Sequence, residues 1–205
     1  REFFESFNTC IIKTNLVNFN LRHNSWTFMG IGSILYSDYL ATDFQTFGAI
    51  LEAYPNNISD NPISAQNISF PHFKAAGMEN APYVQGLTEV GTLLVLGHCA
   101  PKLISPSLNS LAPPGEEKRY RKQVLASIIS EKMEKDFGLN IIDPPSKIRF
   151  KFGQNFAADF LSFYIIKNAG IEIASHTISE IPENVLMLAN SLSLDFYEKF
   201  NPKFI

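Results

Sequence analysis

The side chains with chemical capacity in this sequence are few and scattered. Histidines stand at His23, His72, His98 and His176, and cysteines at Cys10 and Cys99. No histidine has an aspartate or glutamate at a spacing that suggests a proton relay, so each reads as a surface or hydrogen-bonded core residue. The cysteines are too few for a disulfide scaffold or a zinc cluster and read as two buried free thiols. The adjacent pair His98-Cys99 follows a strand-like run. Neighbours in an extended segment point to opposite faces, so the pair does not form a nucleophile and its base. Gly30-x-Gly32 lacks the third glycine of a nucleotide loop. The charge run Glu116, Glu117, Lys118, Arg119, Arg121, Lys122 reads as the solvated face of a helix start. The expected catalytic, cofactor-binding and metal-ligating residues are therefore none, and no cofactor is implied.

Composition agrees with a packed protein. The 205 residues are 45% hydrophobic and 18% charged, which supports a core and argues against wholesale disorder. A net charge of −3 offers no basic stripe for phosphates, so nucleic acid is not an expected partner. No apolar run approaches the roughly 20 residues of a membrane span. The chain begins at Arg1, which reads as a processed or trimmed sequence. A mitochondrial or other organellar location is the expectation, with cytoplasmic and secreted locations open. The sequons at Asn57 and Asn67 lie in an Asn-rich stretch where chance explains them.

The elements expected to position these residues follow from periodicity and turn chemistry. Residues 9–16 read as a strand. Apolar positions Leu40, Phe44, Phe47, Ile50 and Leu51 recur at helical spacing, and Pro55 ends that helix. Residues 55–71 read as a surface loop. A helix end follows at Ala75-Ala76, with Gly77 as a left-handed cap. Tyr83–Val90 and Thr92–Leu96 read as strands, and Pro106–Leu111 as a further extended piece. The strongest helix opens after Pro113-Pro114-Gly115, places Val124, Leu125, Ile128, Ile129, Met133 and Phe137 on one face, and stops at Gly138. Residues 147–152 alternate charged and apolar side chains as a half-buried strand. The tail from Phe163 adds a short strand-like piece and a helix around 181–200.

In order, these elements form a doubled β-α-β unit. Cys10-Ile11-Ile12-Lys13-Thr14-Asn15-Leu16, Ala76-Gly77 with Pro82-Tyr83-Val84, Leu93-Leu94-Val95-Leu96-Gly97, and Leu108-Asn109-Ser110-Leu111 together resemble the macrophage migration inhibitory factor and D-dopachrome tautomerase family. The resemblance implies an α+β, tautomerase-like single domain over residues 1–205. It would carry an insertion at about 17–75 and a C-terminal extension at about 157–205, with a homotrimer as a possible assembly. Tautomerases of that family use an N-terminal proline as base and a lysine that binds substrate. The aligned positions here hold Asn8 and Met78, so the resemblance implies a dismantled site.

The functional expectation is a non-catalytic tautomerase-like structural or interaction subunit of a larger assembly. The alternatives are an isomerase or tautomerase with a non-standard base, or a secreted cytokine-like protein. Partner contacts are expected from the added segments, which hold Trp26, Phe28, Tyr36, Tyr39, Phe160, Phe163, Tyr164, Phe196, Tyr197 and Phe200. The competing expectation is that these segments fold back and enlarge one core.

Overall fold

A computed structural model describes residues 9, 11–13, 15, 30–46, 48, 50–53, 71–81, 83–111, 114–140 and 143–201. The described residues are mostly helical and do not form the doubled β-α-β tautomerase core. The helices among the described residues are α1 (Ile31–Leu35), α2 (Ser37–Leu40), α3 (Pro71–Ala75), α4 (Glu89–Cys99), α5 (Ile104–Leu111), α6 (Glu117–Met133), α7 (Phe156–Ser175), α8 (Glu183–Ser191) and α9 (Asp195–Glu198). The strands among the described residues are β1 (Phe44–Gln45) and β2 (Glu79–Asn80), two residues each and parallel. The expected helix over 38–54 is thus replaced by α2, β1 and a 3-10 turn at Leu51–Ala53.

The expected strand at Thr92–Leu96 lies inside α4. Its β-branched and aliphatic composition suits a strand, but the local start signal is helical. Thr88 has extended backbone, and its Oγ1 accepts from the Gly91 N–H at 2.9 Å, as a helix cap does. The helix then buries Val90, Leu93 and Gly97 at helical spacing and leaves Val95 outside. Tyr83–Gly86, expected as strand, forms turns before that cap. The expected extended piece at Pro106–Leu111 lies in α5, where Pro106 occupies the first turn and forfeits no helical hydrogen bond.

Residues 147–152, expected as a half-buried strand, take no regular strand and build no sheet. They make a single bridge, Lys151 with Ser179, in which the Phe152 N–H donates to the Ser179 carbonyl at 2.8 Å. Phe163 belongs to α7 rather than to a strand. The Asn155 side chain caps α7 by accepting from the Ala158 N–H at 2.9 Å. Gly170, at φ 85° and ψ 168°, kinks it in a backbone region that essentially only glycine occupies. Gly77, at φ 78°, does take the left-handed conformation expected of it after α3.

The core gathers Val90 and Leu93 of α4, Ile104 and Leu108 of α5, and Leu125, Ile128 and Ile129 of α6. Leu161, Tyr164 and Ile165 of α7, Val185 and Ala189 of α8, and Tyr197 of α9 complete it. The segment expected as a C-terminal extension therefore supplies about half of the central packing. α7 and α8 pack on each other, α6 lies against α4, α5 and α7, and α9 closes on α4. Among the described residues, no helix is long and apolar enough to cross a membrane.

Candidate functional site

The most distinctive polar cluster sits where α4 begins. The turn Leu51–Ala53 is tied there by the Leu51 N–H, which donates to the Leu87 carbonyl at 2.8 Å. This delivers Glu52, only 1% exposed, to the helix N-terminus. Its Oε1 accepts from the Glu89 N–H at 2.8 Å, while Oε2 is buried without a hydrogen-bond partner. Burial pushes the Glu52 carboxyl up to about 7, and the nearby Glu89 carboxylate adds to the rise. The Glu89 N–H and Lys122 oppose it. Glu89 is itself paired with Lys122 from α6.

The segment 195–201 straps this cluster down. Thr88 Oγ1, besides capping α4, donates to the Tyr197 carbonyl, and the Asn201 N–H donates to the Gly86 carbonyl at 2.8 Å. Gly86 permits that approach: a Cβ there would stand 2.7 Å from the Phe200 ring and 2.8 Å from the Asn201 carbonyl oxygen. The Tyr197 hydroxyl donates to the Phe160 carbonyl at 2.8 Å, and burial, reinforced by the Glu52 charge, raises its pKa. A carboxyl that changes charge near neutrality is suited to moving protons, but this one lies beneath a strap rather than at an open surface.

A second arrangement is structural. Glu117, at the start of α6, pairs with Arg121 at 2.8 Å. Its other oxygen accepts from the backbone N–H groups of Arg149 and Phe150, the latter at 3.3 Å. This fastens the 147–150 segment to α6. The charge run expected to be a solvated face therefore contains two buried members, Glu117 and Arg121, and a largely covered one, Lys122. The i, i+4 spacing of Glu117 and Arg121 was the legible signal.

Clefts on the surface include two lined by described residues. One, of about 200 Å³, is lined by Gly30, Ser33, Thr42, Phe44, Gln45 and Met78 among others. Met78, assigned by the resemblance to the substrate-lysine position, is buried there and accepts a 3.7 Å contact from the Thr42 hydroxyl. The other, of about 300 Å³, runs between α6 and α7.

The remaining sequence-derived candidates do not converge. Asn8, Cys10, His23, Trp26, Phe28 and both sequons lie outside the described residues, as does most of the 17–75 segment. His98 and Cys99 end α4 rather than follow a strand, and Cys99 is an exposed free thiol, not a buried one. The His176 ring meets Tyr120 edge-on at 6.2 Å. Among the described residues, no group of three or more His, Cys, Asp or Glu side chains is placed to hold a metal ion.

The aromatic residues divide into two populations. Phe160, Tyr164 and Tyr197 form a ring cluster, with Phe160 stacked on Tyr197 at 4.3 Å, Tyr164 tilted against Tyr197, and the more exposed Phe196 meeting Phe160 and Tyr197 edge-on. By contrast Tyr36, Tyr39 and Phe44 are exposed, as is the neighbouring Leu35, Tyr39 by 84%, and the rings of Tyr36 and Tyr39 meet edge-on at 6.5 Å. No family model, no curated protein and no solved structure matches this chain.

Proposed function

We propose that this chain is a non-catalytic interaction subunit of a larger protein assembly, holding its partner on the α1–α2–β1 surface. The exposed group Leu35, Tyr36, Tyr39 and Phe44 carries this reading. Four large apolar side chains within ten residues suit the centre of an interface, where aromatic residues are enriched and charge is depleted. Between Gly30 and Phe44 the charged residues are Asp38 and Asp43, so the rim is acidic and complements a basic partner surface.

A double variant, Leu35→Ser with Tyr39→Ser, tests the reading on the native complex. The expected result is an unchanged circular dichroism spectrum with loss of the stoichiometric partner in sedimentation velocity. Retention of the partner by the folded variant contradicts it.

A second reading, an enzyme using Glu52 as its acid or base, is favoured by a carboxyl whose pKa lies near 7. It requires the 195–201 strap to lift. Its test is hydrogen exchange at the Asn201 amide, which is bonded to Gly86. Exchange as fast as in an unfolded peptide supports the enzyme reading, and strong protection opposes it.

A further inference from the structure

The cleft between α6 and α7 is separate from both the α1–α2 surface and the Glu52 cluster. Its volume of about 300 Å³ is at the lower end for cavities that take small ligands. Val124 and Ile128 from α6 and Ile173 from α7 give it apolar walls, with the Gly170 kink lying between Ala169 and Ile173. Both walls belong to helices packed in the core, so the cleft is held by rigid elements.

The cleft holds three side-chain acceptors, on Gln123, Asn168 and Glu131, beside the Tyr120 and Ser127 hydroxyls, which can donate or accept, and the Asn140 amide. Gln123 is buried, and its Nε2 donates to the Asn140 carbonyl at 3.4 Å. That bond fixes the amide orientation, because the flipped amide would set oxygen against oxygen. It leaves Gln123 Oε1 buried with no donor. Asn168 likewise commits its amide nitrogen, to the Tyr164 carbonyl at 2.8 Å, which leaves its oxygen to accept. Glu131 adds an exposed carboxylate that no lysine or arginine pairs with among the described residues. Among the described residues, no cationic side chain lines the cleft.

We infer that this cleft binds an alkylammonium group, carried by a small free amine or by a lysine side chain. An ammonium offers three donors and no acceptor, and it brings the charge that Glu131 lacks. The alkyl stem covers Val124, Ile128 and Ile173, and the head answers Gln123 and Asn168. Carboxylates and phosphates are disfavoured, since they bring negative charge to Glu131 and no donor for Gln123 Oε1.

The test is an NMR titration of the full chain with n-hexylamine, with hexanoate and 1-hexanol as matched controls. Saturable shifts of the Gln123 and Asn168 side-chain amides with hexylamine alone are expected. Glu131→Gln, an exposed change that leaves the fold intact, should weaken binding about two- to fivefold, as loss of one exposed charge pair does. An N-acetylated, C-amidated Ala-Lys-Ala peptide separates the sources. Displacement of hexylamine assigns the site to a lysine side chain, and failure to displace it assigns the site to a free amine. The absence of saturable shifts, equal shifts with 1-hexanol or hexanoate, or unchanged affinity in the Glu131→Gln variant would overturn the inference.

Discussion

Replacing Glu52 with glutamine should remove a pH dependence of stability, and the structure sets its size and direction. The carboxyl rises from an ordinary 4.5 to about 7 on folding, chiefly through burial. At about 1.4 kcal/mol per pH unit, that difference amounts to about 3 kcal/mol. Because Glu52 is 1% exposed, solvent screening takes little from this figure. The native state holds the proton more tightly than the unfolded chain. Stability is therefore undiminished below pH 4.5, falls as the unfolded carboxyl ionises first, and levels off above about pH 7.

Urea unfolding of wild type and Glu52→Gln from pH 5 to pH 8 isolates this contribution from other titrating groups. Glutamine keeps an oxygen for the Glu89 N–H but places an amide nitrogen where Oε2 already lacks a partner. The variant thus carries a roughly constant offset of about 1–3 kcal/mol. The gap between the two proteins should shift by about 2.5 kcal/mol in the variant's favour between pH 5 and pH 8. A gap constant within about 0.5 kcal/mol would show that Glu52 titrates normally in the folded protein, and the burial argument would fail.

Three further outcomes follow from the packing. Ile129→Ala, at a fully buried position of α6, should cost about 2–5 kcal/mol in urea unfolding. Gly170→Ala forces an L-residue into the φ 85°, ψ 168° region and should cost about 1–3 kcal/mol, read as a lowered melting temperature. Glu117→Ala leaves Arg121 buried without its carboxylate and frees the Arg149 and Phe150 N–H groups. A loss of about 3–5 kcal/mol is expected, with faster hydrogen exchange at those two amides.

The legibility of this fold in sequence varied with how each helix is buried. α6 was readable because Leu125, Ile128 and Ile129 recur at helical spacing behind a Pro-Pro-Gly boundary, and all three are buried. α4 and α7 were misread because helices apolar on several sides lose the 3.6-residue period, and runs such as Thr92–Leu96 and Ile165-Ile166 mimic strands. The correcting signals were single capping residues, Thr88 and Asn155, whose side chains each satisfy a helix N–H. The resemblance to a β-α-β-β-α-β tautomerase core failed with those strands, since α4 and α5 occupy the places of its central β elements. Of the tail aromatics expected at an interface, Tyr164 and Tyr197 are buried and pack with the half-buried Phe160, whereas Phe196 and Phe200 are exposed. Glu52 carried no sequence signal at all. Its environment comes from Leu87, Glu89, Lys122 and Tyr197, which only the folded chain brings to it.

Hydroxyl-radical footprinting of the native complex against the isolated chain tests the interaction reading most directly. Tyr39 on α2 and Tyr83 before α4 are both highly exposed, at 84% and 74%, so each serves as the other's reference. The account expects Tyr36 and Tyr39 to be protected several-fold in the complex while Tyr83 reacts as it does in the isolated chain. Equal reactivity of Tyr39 in the complex and in the isolated chain would contradict it.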